Sequence, residues 1–401
     1  MRKKESQGNG RVVGLDVHPS VFSACALENR DARTAEELFM HDRVDMDDLE
    51  RWHKKHFCRG DIYVMESCNN SFETAERLRK LGADVVVLES LRIGQIQKAY
   101  LKNDKVDARK IARVYLSGLG IEVWQPDEQT RERREVLAVY DRSKRDAVRC
   151  RNRIWSWLTQ HGVKKPKGLK LTKDSGLDWL LGCRKWTPGQ ELLIRTMHSN
   201  LVHAQSKRKE LKRLMAREIS EDPELLKLQQ LCGLRLVAIY ALAAVIGDIS
   251  RFRTPKKLVS YIGLQPSVNQ SGISVGSGKL RHTGRKDLRA LLVQSAHSII
   301  RMGASNNNLA TWGRALTYRK GRNIAAIAVA RKLTVYIWYL MRGFFTPLQD
   351  LSASFRSKLQ KLAVDMGTEL RRDLGYKTIK EFIREKEKIL VESEKILVKG
   401  S

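Results

Sequence analysis

Residues 11–27, RVVGLDVHPSVFSACAL, contain two runs of β-branched and other apolar residues, separated by His18-Pro19-Ser20. β-Branched residues favour strands, and proline and serine favour turns. The stretch therefore predicts a β-hairpin whose first strand ends near Asp16.

The segments that follow alternate between strand patterns and helix patterns. Residues 61–66 (DIYVME) and 83–88 (ADVVVL) predict buried strands, whereas residues 72–81 and 101–116 have helical spacing. Strands and helices that alternate at these lengths are typical of an α/β domain with a mixed sheet, which we assign to residues 1–124.

The pattern changes near Asp127, where one long basic helical stretch begins. A Lys/Gly/Pro-rich loop at 163–173 separates it from a second helical stretch at 188–219. Two long helices joined by a polar loop predict a helical hairpin or a coiled coil, which is a common dimerising device. A solvated helical spacer explains the same periodicity. Residues 125–222 are thus predicted to be a helical coiled-coil connector.

The remainder of the chain has mainly helical patterns. Residues 223–346 predict a helical domain that contains a Gly-, Ser- and Lys-rich segment at 253–285. Residues 347–401 predict a charged helical tail without a chemical signature. The predicted fold class is therefore α/β plus α.

The formal net charge of +30 is unusually high and unevenly distributed. Residues 1–124 contain 21 Lys and Arg against 20 Asp and Glu, which leaves +29 for the rest of the chain. Solvating surface charge explains a high charge content but not this imbalance of sign. A polyanionic partner explains it, because cations that contact phosphates release condensed counterions. The composition therefore predicts nucleic-acid binding.

Neither secretion nor membrane insertion is indicated. The six cysteines are scattered without a CxxC pair, so disulfides and structural zinc are not expected. The longest apolar stretch, Leu236–Gly247, is too short to span a bilayer, and Ile324–Phe345 is interrupted by Arg331-Lys332. We predict a cytoplasmic protein with no membrane partner.

Four carboxylates are candidates for a metal site. Asp16 ends VVGLD and Glu66 ends IYVME, whereas Asp104 and Asp107 share one face of a predicted helix. Mg²⁺ prefers hard oxygen ligands, and two ions about 3.5–4 Å apart can bind the attacking and leaving oxygens of a phosphoryl transfer. For each acid alone, a turn residue or a salt-bridged surface is the simpler interpretation. The ordered set of four matches an RNase H/RuvC-like arrangement and predicts a Mg²⁺ site.

A second candidate site is the segment GLQPSVNQSGIS, residues 263–274, which contains Ser271. A serine in a flexible, glycine-flanked loop near cations suits attack on phosphorus, and arginines can stabilise charge on the phosphoryl oxygens. Spacing alone favours a simpler interpretation, in which the loop contacts DNA backbone through its hydroxyls and amides. The nearby cations are predicted to bind nucleic acid: Lys279, Arg281, Arg285 and Arg289.

Together these motifs resemble bacterial insertion-sequence transposases with a DEDD catalytic domain, the insertion-sequence one-ten family, which includes RNA-guided bridge recombinases. The similarity extends from about residue 11 to residue 345. Its most specific parts are KNDKVDA and GLxPxxxxSG, supported by TGRKDLRALLVQSA, TWGRAL and AIAVARKLTVYIWYLM. The acids that match the family pattern are Asp16 in GLDVH, Glu66 in MES, and Asp104 and Asp107 in KNDKVDA.

The resemblance implies a RuvC-like (RNase H-like) N-terminal domain, a coiled-coil connector and a helical C-terminal transposase domain. It implies that the four acids bind Mg²⁺ and that Ser271 forms a covalent 5′-phosphoserine bond with DNA. It also implies a homodimer or homotetramer, in which acids and serine of different subunits can share a site. The expected partners are donor and target DNA and a structured non-coding guide RNA.

Three hypotheses follow for the function. The first is a serine- and Mg²⁺-dependent, RNA-guided DNA transposase or recombinase. The second is a RuvC-like junction-resolving nuclease, which cuts with metal-activated water and forms no covalent intermediate. The third is a basic nucleic-acid-binding scaffold whose acids are structural; its binding would depend steeply on salt.

Overall fold

The computed structural model describes residues 10–68, 70–90, 104–266, 269–271, 274–276, 280, 284–301, 308–344 and 351–398. For residues 104–106, 269–271, 274–276, 351–354 and 389–398 it defines the backbone only. Contacts divide the chain into two compact units, Met1–Pro126 and Asp127–Ser401. The finer division into connector, C-terminal domain and tail stays a prediction.

The N-terminal unit is built on a five-stranded mixed sheet with the order β3-β2-β1-β4-β5. Its strands are β1 (Arg11–Val17), β2 (Val21–Glu28), β3 (Glu37–Asp45), β4 (Ile62–Glu66) and β5 (Asp84–Leu88). Its helices are α1 (Leu49–His56), α2 (Ser71–Lys80) and α3 (Asp104–Leu116).

The pairing of β1 confirms the predicted hairpin and the predicted mixed sheet. β1 is antiparallel to β2 and parallel to β4, with Leu15 opposite Met65. β5 continues the sheet parallel to β4. Since β1 and β4 are parallel neighbours, their carboxyl ends lie at the same edge of the sheet.

The two faces of the sheet are buried by different helices. Val13 and Leu15 belong to a core shared with α1 and α2. Val12 and Val64 belong to a second core with Ala108 of α3. Because side chains alternate along a strand, the even-numbered positions of β1 and β4 face α3.

Strand β3 and helix α1 are absent from the sequence-based prediction. β3 is an edge strand with register shifts against β2, and most of its side chains are exposed or half-buried. Its sequence, ELFMHDRVD, therefore lacks the apolar alternation on which strand prediction depends.

The C-terminal unit is mainly helical. Its larger helices are α4 (Glu128–Gln160), α5 (Asp174–Gly182), α6 (Pro188–Glu221), α7 (Pro223–Lys227), α8 (Leu236–Ile246), α9 (Pro255–Ile262), α10 (Lys286–Arg301), α11 (Asn308–Lys320), α12 (Arg322–Met341), α13 (Leu351–Met366), α14 (Thr368–Asp373) and α15 (Ile379–Val398). Two short strands, β6 (Asn269–Ser271) and β7 (Ser274–Gly276), pair antiparallel.

Helices α4 and α6 form an antiparallel hairpin within the chain. At one end, Arg133 donates to Glu218 at 3.0 Å and to Asp222 at 3.2 Å. At the other end, the side chain of Gln190 lies 3.4 Å from His161 Nε2. The structure thus supports the hairpin interpretation of the two basic helices; a coiled-coil dimer stays a prediction.

The core of the C-terminal unit includes α8, α12 and part of the tail. α12 is long and apolar enough to cross a membrane, but half of its most apolar window is buried inside the protein. Its buried residues, such as Val329 and Leu333, belong to the main core, and we interpret α12 as a core helix. Phe355 and Phe382 of the tail are buried in the same core, so the tail is packed into this unit.

Candidate active site

The carboxyl edge of the N-terminal sheet brings two predicted acids to neighbouring strands. Leu15 pairs with Met65, so Asp16 and Glu66 each come one residue later on parallel strands about 4.8 Å apart. Both occupy even-numbered positions and therefore face α3. Both are half-buried, and the Asp16 side chain is 18% exposed. A cation could reach these carboxylates from solvent.

Helix α3 crosses the sheet at a glycine directly before this edge. A Cβ on Gly14 would lie 2.1 Å from the backbone oxygen of Ala108, which shows how closely helix and strand approach. Asp107 is adjacent to Ala108, and Arg109 of the same helix bonds Glu37 of β3 at 2.6 Å. The first turn of α3, which carries the predicted acid pair, is thereby fixed to the sheet.

Of the two acids predicted on α3, the structure describes the side chain of one. Asp107 accepts a hydrogen bond from Lys110 Nζ at 2.8 Å, as expected for a surface ion pair. The side chain of Asp104 lies outside the described residues. Among the described residues, no group of three His, Cys, Asp or Glu side chains is arranged to hold a metal ion. The structure therefore places the two strand acids together, and the four-acid site stays a prediction.

Asp61 is a structural carboxylate of the same unit, and its burial can be compared with that of Asp16. Asp61 directly precedes β4, at the opposite end from Glu66, and its side chain is fully buried. It accepts hydrogen bonds from Arg11 Nη2 at 2.7 Å and from the backbone N–H of Cys58 at 2.9 Å. Asp16 differs from it by remaining partly exposed at the other edge.

Several polar residues near Asp16 were missed by the sequence-based prediction. His18 Nε2 lies 3.5 Å from Asp16 Oδ2, and Asn70 donates to the backbone oxygen of His18 at 2.8 Å. The Cys68 thiol donates to the Val17 backbone oxygen; burial raises the pKa of Cys68, and the charge of Asp16 raises it further. The sequence did carry a signal for these residues, because polar residues directly follow both strand ends, in DVH at 16–18 and in ESCNN at 66–70.

The predicted serine lies on a β-hairpin, where the sequence predicts a flexible loop. Ser271 ends β6, and its backbone pairs with Ser274 of β7. The side chain of Ser271 lies outside the described residues, as do the predicted phosphate-binding residues Lys279 and Arg281. Gly276 pairs with Asn269 at the other end of the hairpin.

The two described arginines of the predicted nucleic-acid site have structural contacts. Arg285 forms an ion pair with Asp287 at 2.7 Å, and hydrogen bonds to Asp287 raise the pKa of the guanidinium. Arg289 donates to the backbone oxygen of Gly263 at 3.2 Å. The Arg289 contact fastens Gly263, at the start of the segment that carries Ser271, to α10. The role of the arginines in binding DNA stays a prediction.

Two family models match this chain. A DEDD transposase model of the IS110 group matches residues 13–163, which contain Asp16, Glu66 and the α3 acids. A model of the IS116/IS110/IS902 transposase family matches residues 226–310, which contain Ser271. The chain belongs to the IS110 family of DEDD transposases. The resemblance inferred from the motifs is therefore confirmed.

Curated relatives agree with this assignment. The chain is 21% identical over 357 residues to the transposase for insertion sequence element IS1111A of Coxiella burnetii, covering 85% of this chain and 92% of the relative. It is 24% identical over 283 residues to the transposase for insertion sequence element IS1328 of Yersinia enterocolitica, covering 70% and 84% respectively. As a member of this family, the transposase binds DNA and cuts and rejoins it during transposition.

Proposed function

We propose that this transposase excises and inserts an insertion-sequence element by Mg²⁺-dependent cleavage and rejoining of DNA through a phosphoserine intermediate on Ser271. Its N-terminal unit would be a RuvC-like domain. The observation that carries the proposal is the position of Asp16 and Glu66 at the carboxyl ends of two adjacent strands, on the face of the sheet that α3 covers. The family models match the chain over both of these acids and over the serine.

The residues at the sheet edge fit a hard divalent cation. Two carboxylates on neighbouring strands supply oxygen ligands. The fully buried Asp61 is instead paired with Arg11 of the same unit. Asp16 and Glu66, with Asp104 and Asp107, would hold Mg²⁺. When bound, Mg²⁺ would supply charge stabilisation at the phosphoryl group.

Ser271 would act as the nucleophile. Its Oγ loses a proton and attacks phosphorus, the bond from phosphorus to the 3′ oxygen breaks, and the departing 3′ oxygen takes up a proton. The 5′ phosphate stays attached to Ser271. A 3′ hydroxyl of another strand then attacks this phosphorus and releases the serine. Each step exchanges one phosphate ester for another, so rejoining needs no nucleotide cofactor.

The charge distribution supports the proposed partners. The chain beyond residue 124 has a net charge of +29, which suits binding of DNA and of a structured non-coding guide RNA. We propose further that the transposase works in the cytoplasm as a homodimer or homotetramer. The α4–α6 hairpin would supply the coiled-coil contact between subunits.

A covalent adduct tests the proposal. The full chain, with the guide RNA encoded beside it and labelled element ends, should yield a protein–DNA band that survives denaturation. Ser271→Ala should abolish this band, and Ser267→Ala, in the same segment, should retain it. If Ser271→Ala cuts DNA as fast as the parent chain, the serine assignment is wrong and the enzyme is a junction-resolving nuclease.

A further inference from the structure

The C-terminal unit encloses a cavity of about 660 Å³ that takes no part in the proposed chemistry. Its walls come from α4, α6, α8, α10, the start of α12 and the tail helix α13. A cavity of this size admits a segment of a single nucleic-acid strand but is too small for a duplex. We call it the basic cavity.

Cations dominate the lining of the basic cavity. Seven Lys and Arg side chains face two carboxylates, Asp141 and Asp365. Asp365 lies 3.9 Å from Lys212, and burial raises the pKa of Asp141. Six of the cations come from five helices and from the loop before α8: Lys144, Lys212, Arg235, Arg301, Arg322 and Lys361.

The seventh cation, Lys358, is half-buried on the tail helix. Its Nζ donates to the backbone oxygens of Gln229 and Leu231. Burial, with a smaller contribution from Arg235, lowers the pKa of Lys358 to about 8. Five of the other six cations are exposed to solvent, so an anionic ligand can reach them directly.

Two further groups offer hydrogen bonds to an anion. Helix α8 begins beside the cavity, and among the described side chains none caps its first turn after Arg235. The N–H groups at the start of a helix carry partial positive charge and suit an anion. His297 also lines the cavity, and its buried Nδ1 has no partner among the described atoms.

The loop before α8 is rigid enough to hold these groups in place. Gly233 has φ of +74°, and a Cβ there would lie 2.7 Å from the backbone oxygen of Ser295 on α10. The loop is therefore packed against α10, and its carbonyls at Gln229 and Leu231 hold Lys358 of the tail. Tail and loop together form one wall of the basic cavity.

We propose that the basic cavity binds the phosphate groups of a single DNA strand, and that the tail helix α13 is an essential part of this site. The site is separate from the proposed chemistry, and it would remain if Ser271 had no covalent role. The tail thereby gains a function that its sequence does not indicate.

Charge reversal tests the site in the full chain. The double variant Arg235→Glu/Lys361→Glu changes two exposed cations of the lining. It should raise the Kd for a labelled single-stranded DNA at least about tenfold and flatten the salt dependence by about 0.7 per lost phosphate contact. Lys380→Glu, an exposed residue of the same tail outside the lining, should change Kd by less than about twofold. Equal losses in both variants would overturn the proposal.

Lysine acylation with mass spectrometry provides a second measurement that does not depend on variants. Single-stranded DNA should protect Lys144 and Lys361 from acylation and leave Lys380 reactive. Two parallel samples contain RNA of the same sequence or inorganic pyrophosphate. Protection by RNA alone, or by pyrophosphate alone, would assign the cavity to that ligand and contradict a DNA-strand site.

Discussion

The two units of this transposase differ in charge and in what they leave exposed. The N-terminal unit nearly balances its charges, with 21 bases against 20 acids, and presents Asp16 and Glu66 at one edge of a sheet. The C-terminal unit carries +29 and gathers cations around a cavity. Under the proposed function, phosphate chemistry needs a few well-placed acids in one unit, whereas binding a polyanion needs many bases in the other.

The largest effect is expected at the acidic edge. Glu66→Gln removes one charged oxygen ligand and should slow DNA cleavage by at least about 100-fold, because the charge that favours a cation is lost. Asp84→Asn, at the amino end of β5, is the matched control and should leave the rate within about twofold. A gel assay of cleavage at matched DNA occupancy measures both. Similar cleavage rates for Glu66→Gln and the parent would show that the acids of the N-terminal unit do not serve cleavage.

The stability of the C-terminal unit should depend on one buried arginine and the two acids that it bonds. Arg133 is 8% exposed and bonds Glu218 of α6 and Asp222 directly after α6, so Arg133→Met leaves both acids without this partner. We expect a loss of about 2–3 kcal/mol in the free energy of unfolding, reduced from the fully buried value because the acids are partly exposed. Arg149→Met, in an exposed pair with Asp146, should cost under about 0.5 kcal/mol. Urea denaturation distinguishes the two, and equal costs would contradict the assignment.

A smaller loss of stability is expected at the point where α3 crosses the sheet of the N-terminal unit. Gly14→Ala would place a Cβ against Ala108 and force α3 away from the sheet. The predicted cost is about 1–3 kcal/mol of unfolding free energy, accompanied by slower cleavage because the α3 acids move. Gly189→Ala, on open helix surface, should be neutral or slightly stabilising. If Gly14→Ala is as stable and active as the parent, the close crossing of α3 does not position the site.

The smallest effect is expected in the pH dependence of the free energy of unfolding, through Lys358 of the basic cavity. The pKa of Lys358 is about 8 in the folded chain and about 10.4 in an unfolded one. Between these values the unfolded state binds more protons, so the free energy of unfolding should rise with pH; below pH 8 the cost of burying the charge is fully present. Relative to Lys358→Met, the parent should therefore gain stability between about pH 7 and about pH 9.5. A pH-independent difference would show that Lys358 keeps its ordinary pKa.

Much of the N-terminal unit could be predicted from sequence because its signals are local. The hairpin at 11–27 and the strand ending at Glu66 both follow from apolar runs and from the turn residues that bound them. β3 could not be predicted in this way, because an edge strand with few buried positions lacks the alternating pattern. The acid pair at the sheet edge followed from strand ends alone.

The basic cavity could not be predicted, since its cations are spread over elements from Lys144 to Lys361. No spacing in the sequence brings these residues together. They meet because several helices pack together, and the contacts of Lys358 fasten the tail to the loop before α8. The sequence predicts how many positive charges there are, and the tertiary fold determines where they meet.

The most direct measurement of the central claim is the position of the DNA-linked residue. Adducts formed by the parent chain would be digested, and the peptide that carries a nucleotide would be sequenced by mass spectrometry. We predict a phosphate on Ser271 in the parent and no adduct from Asp16→Ala, even where that variant binds DNA normally. A nucleotide on another residue, or an undiminished Ser271 adduct from Asp16→Ala, would contradict the account.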